Sequence, residues 1–126
     1  MIQGFEQQTG KLTEYEKGVL LPVMVKCLER KIGKGNAVTN AYMCDRMNES
    51  GYDVGEARVR KIINYIRING LVPCLMASSF GYYITNDADE LKSYIASLKG
   101  REEAIRAVRR AVEEQLEEMM SKTKTD

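Results

Sequence analysis

Residues 48–85 read NESGYDVGEARVRKIINYIRINGLVPCLMASSFGYYIT. Gly51 can close one helix as the left-handed residue just past its end. Gly55, or Asp53 three residues before Glu56, can then cap the next. Val59, Ile62, Ile63 and Ile66 recur at i, i+3, i+4, i+7, which predicts a helix from about Gly55 to Asn69 with one apolar face. Beyond Gly70, Leu71 to Met76 and Tyr82 to Thr85 flank Ser78-Ser79-Phe80-Gly81, a β-hairpin signal with glycine available for a positive-φ turn. Pro73 marks its strand as an edge, because proline cannot donate to a ladder. Tyr82 and Tyr83 alternate faces, so one of them packs inward.

Upstream, Thr39 is a good N-cap for a helix carrying Met43, Cys44 and Met47 on its inner face. Ala37-Val38 has room for a one-bridge strand, and Gly33-Lys34-Gly35-Asn36 reads as a turn. A capping-box match, Thr13 to Glu16, opens the first helical pattern. Its buried stripe is Val19, Leu20, Val23, Met24, Cys27 and Leu28. Pro22 lies inside this pattern, so either it kinks the helix or it is the true first position. Two helices, a glycine corner, a basic helix and a hairpin follow the order of a winged helix-turn-helix. The expected fold is mainly α with a small β-hairpin, the domain covering residues 13–86, with 1–12 a disordered N-terminus.

The remainder, 87–120, predicts a long coiled-coil-like helix, with 121–126 a frayed tail. Leu91, Tyr94, Leu98, Arg101, Ile105, Val108, Val112, Gln115 and Met119 step by 3 and 4 as a heptad does. A seam of this length needs a partner, and a homodimer through Leu98, Ile105, Val108, Ala111, Val112 and Met119 is the expectation. Basic Arg106, Arg109 and Arg110 precede acidic Glu113, Glu114, Glu117 and Glu118, which favours antiparallel pairing crossing near Ala111. Gly100 costs roughly 1 kcal/mol in a helix interior. The alternative is therefore a break there, with an antiparallel pair folded back inside one chain.

The formal charge of the 126-residue chain is +1, but it is unevenly spread. Between Lys26 and Arg67 nine Lys and Arg face five acids, whereas the last helix ends in glutamates. Histidine is absent, which removes the commonest general base and the commonest transition-metal ligand. No glycine-rich phosphate loop follows a strand, and the acidic pairs sit at caps or on an exposed helix. No enzyme activity, cofactor or metal is expected. Cys27, Cys44 and Cys74 form no CxxC pair and read as reduced thiols. Without an apolar run of about 18 residues or a signal peptide, the expected compartment is the cytoplasm, with no membrane contact.

Double-stranded DNA is the partner that this arrangement suggests, since the second helix of a helix-turn-helix enters the major groove. Opposite the apolar face lie Ala57, Arg60, Lys61, Asn64 and Ile68, with Arg58 and Arg67 on the flanks. Ala57 permits close approach to base edges. Arg60 and Lys61 match guanine O6/N7 or phosphate, and Asn64 matches adenine N6/N7. The hairpin tip has no Lys or Arg, leaving Ser78, Ser79, Tyr82 and backbone amides for phosphate.

The stretch NAVTNAYMCDRMNESGYDVGEARVRKIINYIRINGLVPCLMASSFGYYIT resembles the winged-helix domains of small bacterial phage-encoded and mobile-element-associated DNA-binding proteins. The resemblance covers about 50 residues, RVRKIINYIRINGLVP and SSFGYYI being its most specific parts. It implies DNA binding in transcription regulation, or in replication or excision accessory work. Carried over, Arg58, Arg60, Lys61 and Asn64 fall in the recognition helix and Ser78 to Tyr82 in the wing tip. The uncharged wing departs from the pattern. The competing reading is a winged-helix interaction module in a protein assembly, with Tyr65, Ile68 and the coiled coil as its contacts.

Overall fold

A computed structural model describes residues 10–125, with side chains through 123. The chain divides into two units, Met1–Ala88 and Asp89–Asp126. In the first, a helix entered at residue 14 runs as a π-helical stretch, Glu16–Leu20, into α1, Leu21–Leu28. The capping box is formed in both directions: the Glu16 amide donates to Thr13 Oγ1 (3.1 Å), and the Thr13 amide donates to Glu16 Oε1 (2.8 Å). Pro22 neither starts nor breaks the helix. The π-helical turn immediately before it pairs the Leu21 amide with the Glu16 carbonyl, and Pro22, which has no amide hydrogen to donate, follows in the first turn of α1.

That local widening changes the buried face. Leu20, Met24 and Leu28 are wholly buried, with Val23 and Cys27 partly so, but Val19 is exposed and does not join the stripe expected for it. Of the expected N-terminal segment, residues 1–9 lie outside the described residues. Leu12 packs against the core, so that segment is not disordered throughout.

Thr39 caps α2, Asn40–Glu49, by accepting from the Tyr42 amide at 3.0 Å, and Met43, Cys44 and Met47 are buried as their spacing predicts. Two helices then end in the same way. Gly51 (φ +94°) and Gly70 (φ +63°) each let the chain turn back, with Tyr52 N–H on Met47 O and Leu71 N–H on Ile66 O closing Schellman motifs. Between them runs α3, Glu56–Ile68, which buries Val59, Ile62, Ile63 and Ile66. Gly55 is its N-cap and supplies no side chain for the purpose.

The glycine corner between α2 and α3 is pinned by Asn48, whose side-chain amide donates to Val54 O (2.8 Å) and Cys44 O (2.9 Å). Cys44 Sγ also contacts Val54 O, so this thiol is a buried part of the corner.

The hairpin joins β1, Leu75–Ser78, to β2, Gly81–Ile84, antiparallel with Leu75 opposite Ile84. β1 starts later than expected, and Pro73 is not in it. The Schellman closure uses Leu71, Val72 is buried, and the chain turns at Cys74 (φ +64°) before it can extend. On the far side of β2, Val38 forms the one-bridge strand read from the sequence, exchanging both backbone bonds with Tyr82. Tyr83 is the inward tyrosine.

The second unit is one helix, α4, Ala88–Thr125. It passes through Gly100 without a break and continues past residue 120, so the tail expected to fray is helical to Thr125. Arg109–Glu113 (2.8 Å) and Glu102–Arg106 (3.7 Å) are i, i+4 pairs along it. Among the described residues no helix is long and apolar enough to cross a membrane, and no group of three or more His, Cys, Asp or Glu is placed to hold a metal ion.

Candidate nucleic-acid interface

The outward face of α3 divides into two strips. The first holds Arg58, Lys61 and Tyr65, all half-buried. Here Lys61 Nζ donates to Glu16 Oε1 at 2.8 Å and Arg58 Nε to Glu16 Oε2 at 3.1 Å. The Glu16 side chain is 3% exposed, that of Lys61 14% and that of Arg58 39%. Burial pushes the Glu16 carboxyl up, but the Lys61 hydrogen bond, the Thr13 amide and the charges of Lys61 and Arg58 together hold it below the ordinary carboxylate range. Lys61 is therefore a correction to the sequence reading. A helical wheel treats everything opposite the core as solvent-facing, but the first helix brings its capping carboxylate onto this flank and takes the ammonium. Arg58 is drawn the same way, although its guanidinium keeps a wet edge and lies 5.8 Å from the Tyr15 ring centroid.

The second strip carries Ala57 and Arg60, both exposed, with Asn64 and Arg67 half-buried beside them. Arg60 lies 3.8 Å from Glu56, one turn back, both side chains about half exposed. Such a loose surface pair is worth only a few tenths of a kcal/mol and yields easily to a competing anion. Ile68, at the end of the same face, is 79% exposed.

The start of α3 is fixed to its surroundings by Asn40. Its Nδ2 donates to Glu56 O (3.0 Å), and its Oδ1 accepts from the Tyr82 hydroxyl (3.3 Å). One side chain thus ties the first turns of α2 and α3 to the hairpin. Nothing in the sequence pattern around Asn40 announces this, since its partners lie 16 and 42 residues away. The Tyr82 hydroxyl, expected to meet phosphate, instead orients this junction. Ser78 is likewise engaged: its Oγ donates to Gly81 O (3.0 Å) and accepts from the Phe80 amide (3.1 Å), shaping the turn. Ser79 stays exposed at the tip.

The hairpin tip does have a cation, contributed by a distant segment. Lys34 Nζ stands 4.9 Å from the centroid of the half-exposed Phe80 ring. Lys34 belongs to a 3₁₀ turn, Lys34–Asn36, held by Asn36 Nδ2 on Ile32 O; the sequence places it in a turn and among the nine basic residues between Lys26 and Arg67, but not beside the hairpin. A depression of about 360 Å³ lined by Thr13, Glu16, Gly55, Ala57, Arg58 and Lys61 opens at the N-terminal end of α3. Its cations are already matched to Glu16. No family model, curated protein or solved structure matches this chain.

Proposed function

We propose that the Met1–Ala88 unit binds double-stranded DNA, with α3 as the reading helix and the hairpin tip as a second backbone contact. The observation that carries this reading is the strip of Ala57, Arg60, Asn64 and Arg67 on the second helix of a helix-turn-helix, opposite a fully buried apolar face. A small residue beside a guanidinium and a carboxamide suits base edges in the major groove. Lys34 over Phe80 gives the tip one charge for phosphate, and Ser79 a hydroxyl. Regulation of transcription and accessory work in replication or excision are the roles that such binding serves in the proteins this domain resembles.

The test is a gel shift against random duplex libraries at two salt concentrations. Arg60→Ala and Asn64→Ala should each relax preference at one base position by roughly 1–3 kcal/mol. Lys34→Ala should weaken all duplexes alike and lower the salt slope by about 1. A second reading, an interaction module in a protein assembly, draws on the exposure of Ile68 and Phe80. Absence of duplex binding at low salt would select it.

A further inference from the structure

Leu98, Ile105, Val108, Val112, Leu116 and Met119 of α4 are all exposed. At 3.6 residues per turn these six fall within roughly 80° of one another around the helix, together with Arg101. Leu116 joins this stripe and Gln115 leaves its centre, because an unbroken α-helix drifts away from a strict seven-residue repeat. On one side the stripe is bordered by the small residues Ser97, Ala104 and Ala111. On the other it is bordered by Glu102, Arg106, Arg109 and Glu113. Along the helix, the basic residues come before the acidic Glu113, Glu114, Glu117 and Glu118.

We propose that this stripe packs against the same stripe of a second copy of the chain, running in the opposite direction and centred near Arg110. The charge order selects both the occupant and the direction. A parallel, in-register pair sets each cluster level with its own kind, whereas an antiparallel pair sets each basic cluster level with the other's acids. With the centre near Arg110, the apolar layers also match. Val108 meets Val112 of the partner subunit, Ile105 meets Leu116 of the partner subunit, and the Arg101 stem lies along Met119 of the partner subunit. Each Arg109, already 2.8 Å from its own Glu113, comes within a turn of Glu113 of the partner subunit, so two intrahelical pairs become one four-charge network. Ala104 and Ala111 let the two backbones draw close. This pairing does not depend on the DNA reading.

Sedimentation equilibrium of the full chain, from about 1 to 100 µM, should give a concentration-dependent mass approaching twice 14.3 kDa. Val112→Glu, at an exposed position, should weaken association at least about tenfold while leaving the melting of the Met1–Ala88 unit unchanged. Orientation is tested in a background of Cys27→Ser and Cys74→Ser, the buried Cys44 being kept. Chains carrying Arg101→Cys should form a disulfide with chains carrying Met119→Cys when the two are mixed, and neither should cross-link by itself. Cross-linking of each variant with itself would mean parallel helices and overturn the arrangement. A dimeric mass without the mixed cross-link would overturn the register, and a monomeric mass at the highest concentration would overturn the pairing itself.

Discussion

Replacing Glu16 by Gln separates the charge of this side chain from its shape. Glutamine can fill the third position of a capping box, so the bond from the Thr13 amide survives and what is lost is the counter-charge for Lys61 and Arg58. Lys61, nearly buried, exchanges a charge-assisted hydrogen bond of about 1.5–3 kcal/mol for a weaker one to a neutral amide. Arg58 is exposed enough to turn toward water, which limits its share to under about 1 kcal/mol. The expected loss is about 2–3 kcal/mol, less than the 3–5 of a fully buried pair because the cations retain some solvent. For a unit of about 88 residues that lowers the melting temperature by roughly 10–20 °C. Arg109–Glu113 provides the control. Its contact is also 2.8 Å, but both side chains are more than half exposed, so Glu113→Gln should change stability by no more than about 0.5 kcal/mol. Urea titration gives both values, and a double-mutant cycle of Glu16→Gln with Lys61→Met should return a coupling above about 1 kcal/mol. Equal, small losses for Glu16→Gln and Glu113→Gln would refute the view that burial, and not distance, sets the strength of these pairs.

The same carboxylate makes the fold sensitive to acid. Its pKa is lower folded than unfolded, so its contribution is present above the ordinary glutamate value and is lost as pH falls through the lower folded value; the stability gap between wild type and Glu16→Gln should narrow steadily as thermal melts are run at more acidic pH. Gly81→Ala should cost about 2–4 kcal/mol, because a Cβ there would stand 2.4 Å from the Val38 carbonyl oxygen and φ is +114°; chemical denaturation measures it, and a loss below about 0.5 kcal/mol would mean the Val38 bridge is dispensable. Gly100→Ala should do the reverse, since nothing lies within 4 Å of the position, stabilising α4 by roughly 1 kcal/mol and raising helical circular dichroism on heating.

Much of the fold was legible because its signals are local. Thr13 with Glu16, Thr39, Gly51 and Gly70 each act within a few residues, and each ends or starts a helix where its chemistry says. The apolar spacing of Val59, Ile62, Ile63 and Ile66 fixed the inner face of α3 without any knowledge of what packs there. What could not be read were the long-range partners. Glu16 was visible as a cap, but its second role as counter-ion 42 and 45 residues away depends on how the first helix crosses α3. Asn40 and Lys34 carry no periodic signature, and their importance arises from the hairpin folding back beside them. Val19 and Pro73 were misjudged for backbone reasons, a π-helical turn in one case and a left-handed residue after a helix cap in the other. In the candidate interface, Arg60 is exposed and Asn64 half-buried, whereas Arg58, Lys61, Ser78 and Tyr82 are drawn into internal bonds.

The geometry of the hairpin bears on how the protein behaves when crowded. β2 is paired on both sides, with β1 on one and the Lys31–Gly33 and Val38 backbones on the other. The outer rim of β1 is thus where a neighbouring chain could add a strand. That rim is four residues long; it is preceded by Pro73, which lacks a donor, and by Cys74 in a left-handed conformation, and it ends in a turn closed by Ser78. An incoming strand would find too few aligned amides and carbonyls to hold, and no straight backbone on which to extend. The brevity of the hairpin therefore guards against sheet-to-sheet aggregation without a single charged side chain in β1.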